Sequence, residues 1–229
     1  MILCAHDLRK SFGETGQEIR ILNGVSLKIE HPETVAIMGS SGCGKSTLIS
    51  LLAGLEAPDS GEIRILNRDL RAFSPAELNS FRARNIAVIF QRFHLLDHLT
   101  ALENVRLPLD LNGISKSDQI ADSLLKRVGL GHRLNHFPDQ LSRGECQRVA
   151  IARALAMKPK ILLADEPTGS LDVKTGKEVT DLIMDLATTE NIALLMATHD
   201  SEIAKRCHRR FYMNSGLLTS LPLTQVEPV

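Results

Sequence analysis

Apolar residues recur along this chain with two different rhythms. Val25, Leu27 and Ile29 alternate with Ser26 and Lys28, and Glu62-Ile63-Arg64-Ile65-Leu66-Asn67 alternates in the same way after the turn Pro58-Asp59-Ser60-Gly61. A period of two predicts half-buried antiparallel strands, so residues 1–35 and 62–67 are expected to supply a small sheet. Unbroken apolar runs predict strands buried on both faces. They fall at Thr34-Val35-Ala36-Ile37-Met38, at Ile86-Ala87-Val88-Ile89-Phe90, at Ile161-Leu162-Leu163-Ala164 and at residues 192–198, the last of them expected to be the final long buried strand.

Helical signals lie between these runs. Residues 46–53 read as a helix stopped at Gly54. Ser74-Pro75-Ala76-Glu77 is a capping box with proline at the first helical position, and Thr100-Ala101-Leu102-Glu103 is a second box whose helix is expected to end at Pro108. Ile120, Leu124 and Val128 form an amphipathic stripe terminated near Gly129. Ser142 and Glu145 make a third box, so a helix begins there with its positive end facing outward. The pattern predicts an α/β architecture in which residues 1–91 and 159–229 form the core with its small β subdomain. Residues 92–158 form a helical subdomain inserted between two core strands.

Composition narrows the choice of partner. The 229 residues are 43% hydrophobic and 24% charged, an ordinary globular balance. Lys and Arg number 27 against 27 Asp and Glu, so net charge gives no reason to expect nucleic acid. Cys4, Cys43, Cys146 and Cys207 are far apart with no C-x-x-C spacing, which favours reduced thiols over disulfides or zinc. No run of 18 apolar residues predicts a membrane span.

The chemistry begins where the run at 34–38 meets the helix at 46–53. Gly39-Ser40-Ser41-Gly42-Cys43-Gly44-Lys45-Ser46-Thr47 fits the phosphate-loop pattern G-x-x-x-x-G-K-[ST]. Glycines let the backbone bring a row of N–H groups close to phosphate oxygens, Lys45 adds a point charge for the outer phosphates, and the Ser46 hydroxyl suits Mg²⁺. Cys43, beside a helix N-terminus, is expected to be alkylated in a way that a bound nucleotide blocks. Downstream, the run 161–164 delivers Asp165 and Glu166 at its carboxyl end; Asp165 suits Mg²⁺ and Glu166 suits activation of water. The run 86–90 delivers Gln91 at its carboxyl end, where open parallel sheets bind ligands, and 192–198 leads straight to His199. Phe12 is a lone aromatic at a strand-to-loop step, suited either to local core packing or to stacking on a base.

Leu141-Ser142-Arg143-Gly144-Glu145-Cys146-Gln147-Arg148 resembles the signature of ABC-type ATPases, and the whole chain follows that family's motif order. The resemblance implies a P-loop NTPase fold with a RecA-like core, binding ATP with Mg²⁺ and hydrolysing it. It implies Phe12 on adenine, residues 39–47 on phosphate, Ser46, Gln91 and Asp165 on the metal, and Glu166 and His199 at the γ-phosphate. Ser142, Gly144, Glu145 and Asp172 then complete the nucleotide site of a second copy. It further implies an ATP-sandwich dimer bound to integral-membrane permease subunits, hence a cytoplasmic protein held peripherally on the inner membrane. Within the family, residues 73–105 are similar to the ATPases of lipoprotein-release and macrolide-export systems, which act as mechanotransmitters.

One departure stands out. Arg143 occupies the place of the first of two glycines usual after the signature serine, where its bulk is expected to crowd a closed interface or its guanidinium to approach phosphate. A soluble ABC ATPase acting on DNA or ribosomes is the rival reading. The stretch from Lys45 to Ser142 is too short for the coiled coil of chromosome members, and ribosome-acting members carry two cassettes. A P-loop kinase or GTPase gives no account of Ser142 or His199.

Overall fold

The protein is described by a computed structural model covering residues 1–13 and 18–222. The strand expectation at residues 14–17 and the tail from 223 on lie outside the described residues. Along the chain the elements run β1 (Leu3–Phe12), β2 (Ile19–Ile29), β3 (Thr34–Met38), α1 (Lys45–Leu52), β4 (Ser60–Ile65), β5 (Arg68–Asp69), α2 (Pro75–Asn85) and β6 (Ile86–Phe90). They continue with α3 (Ala101–Leu111), α4 (Ser117–Arg127), α5 (Arg143–Leu155), β7 (Ile161–Asp165), α6 (Val173–Thr189), β8 (Ala193–Ala197), α7 (Ser201–Lys205), β9 (Arg209–Asn214) and β10 (Leu217–Leu221). The chain forms two compact units: Met1–Ser80 with Leu163–Asp165 and the chain from Ala193 on, and Phe81–Leu162 with Glu166–Ile192.

The first unit holds two sheets. Strands β2-β1-β4-β5 form an antiparallel sheet, in which Leu3 pairs with Ile29 and Ile65, and Ala5 with Leu27 and Ile63. All six side chains are buried, so the period of two does place one apolar face inward. Each large side chain so buried contributes about 1.5–3 kcal/mol. The strand expected at 62–67 ends earlier, at Ile65, because Leu66 and Asn67 both take positive φ, 51° and 63°. They form the two-residue turn that lets Ile65 pair with Arg68.

In the second sheet β3 runs parallel to both β8 and β9, β10 is antiparallel to β9, and β7 lies beyond β8. Every residue of β3 and β8 is buried, as unbroken apolar runs require. The run expected at 192–198 forms β8, the last strand buried along its whole length, and two strands without a sequence expectation, β9 and β10, follow it. They join at Ser215-Gly216, both at positive φ, and the buried Arg210 disguises the alternation of Phe211 with Met213.

The second unit is mostly helical, with α3 packed on α4 and α5, and α5 on α6. The capping box Thr100–Glu103 opens α3 as expected, but the helix runs through Pro108 to Leu111. Proline removes one intrahelical bond near the helix end, while Val105 and Leu109 stay fully buried on one face, and that burial prevails. Helix α4 ends at Gly129, φ 81°, with Leu130 N–H donating to Leu125 O at 2.7 Å, a left-handed cap. Helix α6 carries no sequence expectation. Its signals are Asp172, which caps it, and the buried stripe Val179, Ile183, Leu186 and Ala187.

Candidate nucleotide site

The phosphate loop joins buried β3 to α1 in the first unit. Gly39 has φ 153°, and a Cβ there would lie 2.3 Å from the Met213 carbonyl oxygen, so only glycine lets the loop leave the sheet beside β9. Gly44 is the N-cap of α1 at φ 110°, with no side-chain cap and no acidic residue in the first turn. The helix therefore presents backbone N–H groups and its positive end to an anion. Lys45 is only 5% exposed, and its Nζ donates to the carbonyls of Gly39 at 2.8 Å and Ser40 at 3.0 Å. The ammonium thereby ties both ends of the loop together. Ser40, Ser41, Gly42 and Ser46 are exposed and Thr47 is half-buried. Cys43 is buried, so the structure does not favour the ready alkylation expected of it.

Three more expected residues belong to this unit. Asp165 ends β7 and is half-buried. His199 is exposed immediately after β8, where Asp200 N–H donates to Thr198 Oγ1 at 3.0 Å and Asp200 in turn caps α7. Phe12 is 44% exposed at the end of β1, opposite Ile19, with Lys10 Nζ 5.3 Å from its ring centroid. That exposure removes the core-packing reading of Phe12.

The second unit carries the remainder. Ser142 caps α5: Ser142 N–H donates to Glu145 Oε2 at 2.8 Å, and Glu145 N–H to Ser142 Oγ at 3.3 Å. Arg133 Nε donates to the other carboxylate oxygen of Glu145 at 3.0 Å. The Ser142 backbone, then the Ser142 hydroxyl and Arg133, hold the Glu145 carboxyl below its ordinary value against the opposing effect of burial. Gly144 is buried because a Cβ there would lie 2.5 Å from Thr175 Cγ2, where α5 meets α6. Asp172 accepts from Thr175 N–H at 3.1 Å, and the Thr175 side chain lowers its pKa most.

Glu166 stands at φ 44°, a left-handed conformation rare for glutamate, directly after β7. The loop that follows is pinned from both sides. Ser170 Oγ donates to the Gln91 carbonyl at 3.2 Å, and the Gln91 side chain lies over Gly169, where a Cβ would sit 2.8 Å from Nε2. From α5, Gln147 Nε2 donates to Pro167 O at 2.7 Å and Phe90 O at 3.4 Å, and Arg143 Nη1 donates to Ser170 O at 3.3 Å. Arg143 thus reaches a backbone carbonyl of its own chain. Gln147 was not anticipated; its signal is an amide on the face that Ile151 and Leu155 bury.

Residues 22–169 match the family model described as ABC transporter. The chain is 43% identical to the lipoprotein-releasing system ATP-binding protein LolD of Pseudomonas fluorescens, over 96% of this chain and 98% of that one. It is 45% identical to the macrolide export ATP-binding/permease protein MacB of Rhodopirellula baltica over 93% of this chain, which spans 32% of MacB. Its fold is similar to that of MJ0796, described as a bacterial ABC transporter cassette, in a dimeric structure with TM-score 0.90 and 37% identity, covering 98% and 100% of the two chains. A second dimeric structure of MJ0796, in a post-hydrolysis state bound to ADP and Pi, gives a TM-score of 0.89. The chain belongs to the ABC transporter family, as one of its ATP-binding, ATP-hydrolysing cassettes.

Proposed function

We propose that this ATPase powers an integral-membrane permease as a mechanotransmitter of the lipoprotein-release or macrolide-export type, working as a dimer of two copies that sandwich two ATP molecules. The observation that carries the reading is the uncapped N-terminus of α1 together with nearly buried Lys45, an anion site that its own loop holds in place. In this reading residues 39–47 bind the phosphates, Phe12 stacks on the base, Glu166 activates water and His199 meets the γ-phosphate. The oxygen donors of Ser46, Asp165 and Gln91 suit Mg²⁺, which shares its shell with phosphate and water and needs few protein ligands. The partner subunit's Ser142, at the positive end of α5, closes over the γ-phosphate. Gly144, Glu145 and Asp172 act through helix packing and capping to keep that serine placed.

Residues 92–158 serve in this reading as the subdomain that meets the permease, which holds the ATPase peripherally at the cytoplasmic face of the inner membrane. No described helix is long and apolar enough to cross a membrane by itself. The similarity to LolD and MacB supports this over action on DNA or ribosomes. Affinity purification of the Glu166→Gln chain from detergent-solubilised membranes in ATP is the test. Recovery with a multi-helix membrane subunit is expected; retention of ribosomes or DNA in its place overturns the proposal.

A further inference from the structure

Arg143 is the residue whose place in the signature the family pattern leaves unexplained, and it is not alone on its helix face. It lies one turn before Gln147 on α5, at i and i+4, and both side chains reach the same loop. Gln147, fully buried, bonds to the Pro167 and Phe90 carbonyls; Arg143, at the exposed end, bonds to the Ser170 carbonyl. Ser170 in turn holds Gln91 through its hydroxyl. Two rungs therefore run from one helix face to the segment 166–170 and to the end of β6. Glu166 heads that segment in a strained left-handed conformation that persists only if its surroundings over-determine it.

We propose that Arg143 is a positioning residue for hydrolysis, the outer rung that fixes the loop carrying Glu166 to the signature helix. A glycine at 143 has no side chain to make this bond, so only the Gln147 rung would remain. Arginine suits the task because its planar guanidinium keeps further donors for water while one serves the carbonyl. The proposal rests on the reading of Glu166 as the group that activates water. It does not require Arg143 to touch nucleotide.

The test compares the full chain with Arg143→Gly and Arg143→Lys in steady-state ATP hydrolysis, thermal melting and hydrogen–deuterium exchange, with Glu166→Gln as reference. For Arg143→Gly, kcat falls about threefold or more while KM for ATP and the melting temperature stay as in the parent. Amides of residues 169–171 exchange faster, and Arg143→Lys restores part of both effects through a single donor. Unchanged kcat, unchanged exchange over 169–171, or a loss expressed in KM overturns the proposal. A fully active Glu166→Gln instead overturns the role of Glu166, whatever Arg143→Gly does, so the two failures are told apart.

Discussion

Gln147 donates its amide N–H to the carbonyl of Pro167 at 2.7 Å from a fully buried position on α5. Pro167 follows Glu166 directly, so a side chain in the signature helix fixes the backbone of the loop that bears Glu166. A buried carbonyl left without a donor costs about 1–3 kcal/mol, and Gln147→Leu is expected to lose that much in a denaturant melt. Gln147→Glu should lose about 3 kcal/mol or more near neutral pH, because it buries a carboxylate facing two carbonyls. The gap between the two variants should narrow in acid, where the glutamic acid regains a proton to donate. A glutamate variant as stable as the leucine one at neutral pH would contradict the bond.

Gly39 and Gly42 make a contrasting pair in one loop. A Cβ on Gly39 meets the Met213 carbonyl oxygen at 2.3 Å, whereas a Cβ on Gly42 meets nothing within 4 Å. Gly42→Ala therefore carries only the strain of a positive φ, about 1–2 kcal/mol. Gly39→Ala adds a clash with backbone and should move the loop off β9, so that fluorescent ATP-analogue binding is lost. Equal affinities for the two variants would mean that the close approach at Gly39 does not shape the site.

Glu145 links the signature cap to pH. Its folded pKa lies below the ordinary 4.5, so its contribution is present above that value and fades as pH falls through the folded pKa. Its pairing with Arg133 is partly exposed and adds little in water. Most of the effect is the reciprocal cap, about 1 kcal/mol. Glu145→Gln should thus be less stable than the parent at neutral pH and approach it below pH 4.5. Urea melts across that range check this, and a difference constant with pH would mean that the ionised carboxylate does not strengthen the cap.

What the sequence made legible was whatever is decided locally. Glycine spacing specifies the phosphate loop within nine residues, and the boxes at Ser74, Thr100 and Ser142 each satisfy backbone donors within four. Features decided across the chain were not legible. Pro108 stays inside α3 because distant apolar partners bury Val105 and Leu109. Strand β9 hides behind Arg210, whose burial depends on the fold around it and whose Nη2 finds the Pro222 carbonyl at 2.7 Å. Arg143 and Gln147 likewise acquire their meaning only when α5 is laid beside a loop that lies 27 and 20 residues from them in the chain, and no periodicity encodes that approach.

In the proposed function two copies close around ATP and open when Glu166 lets water attack. Glutamine at 166 can hold the same left-handed backbone and keeps the side-chain shape while removing the base, so Glu166→Gln separates closure from chemistry. Sedimentation velocity of that variant with and without ATP and Mg²⁺, beside a phosphate-release assay, is the direct measurement. A monomer without nucleotide, a dimer with ATP, and turnover reduced about a hundredfold or more are expected. A chain that stays monomeric in ATP, or a variant that hydrolyses it at the parental rate, would contradict the proposal.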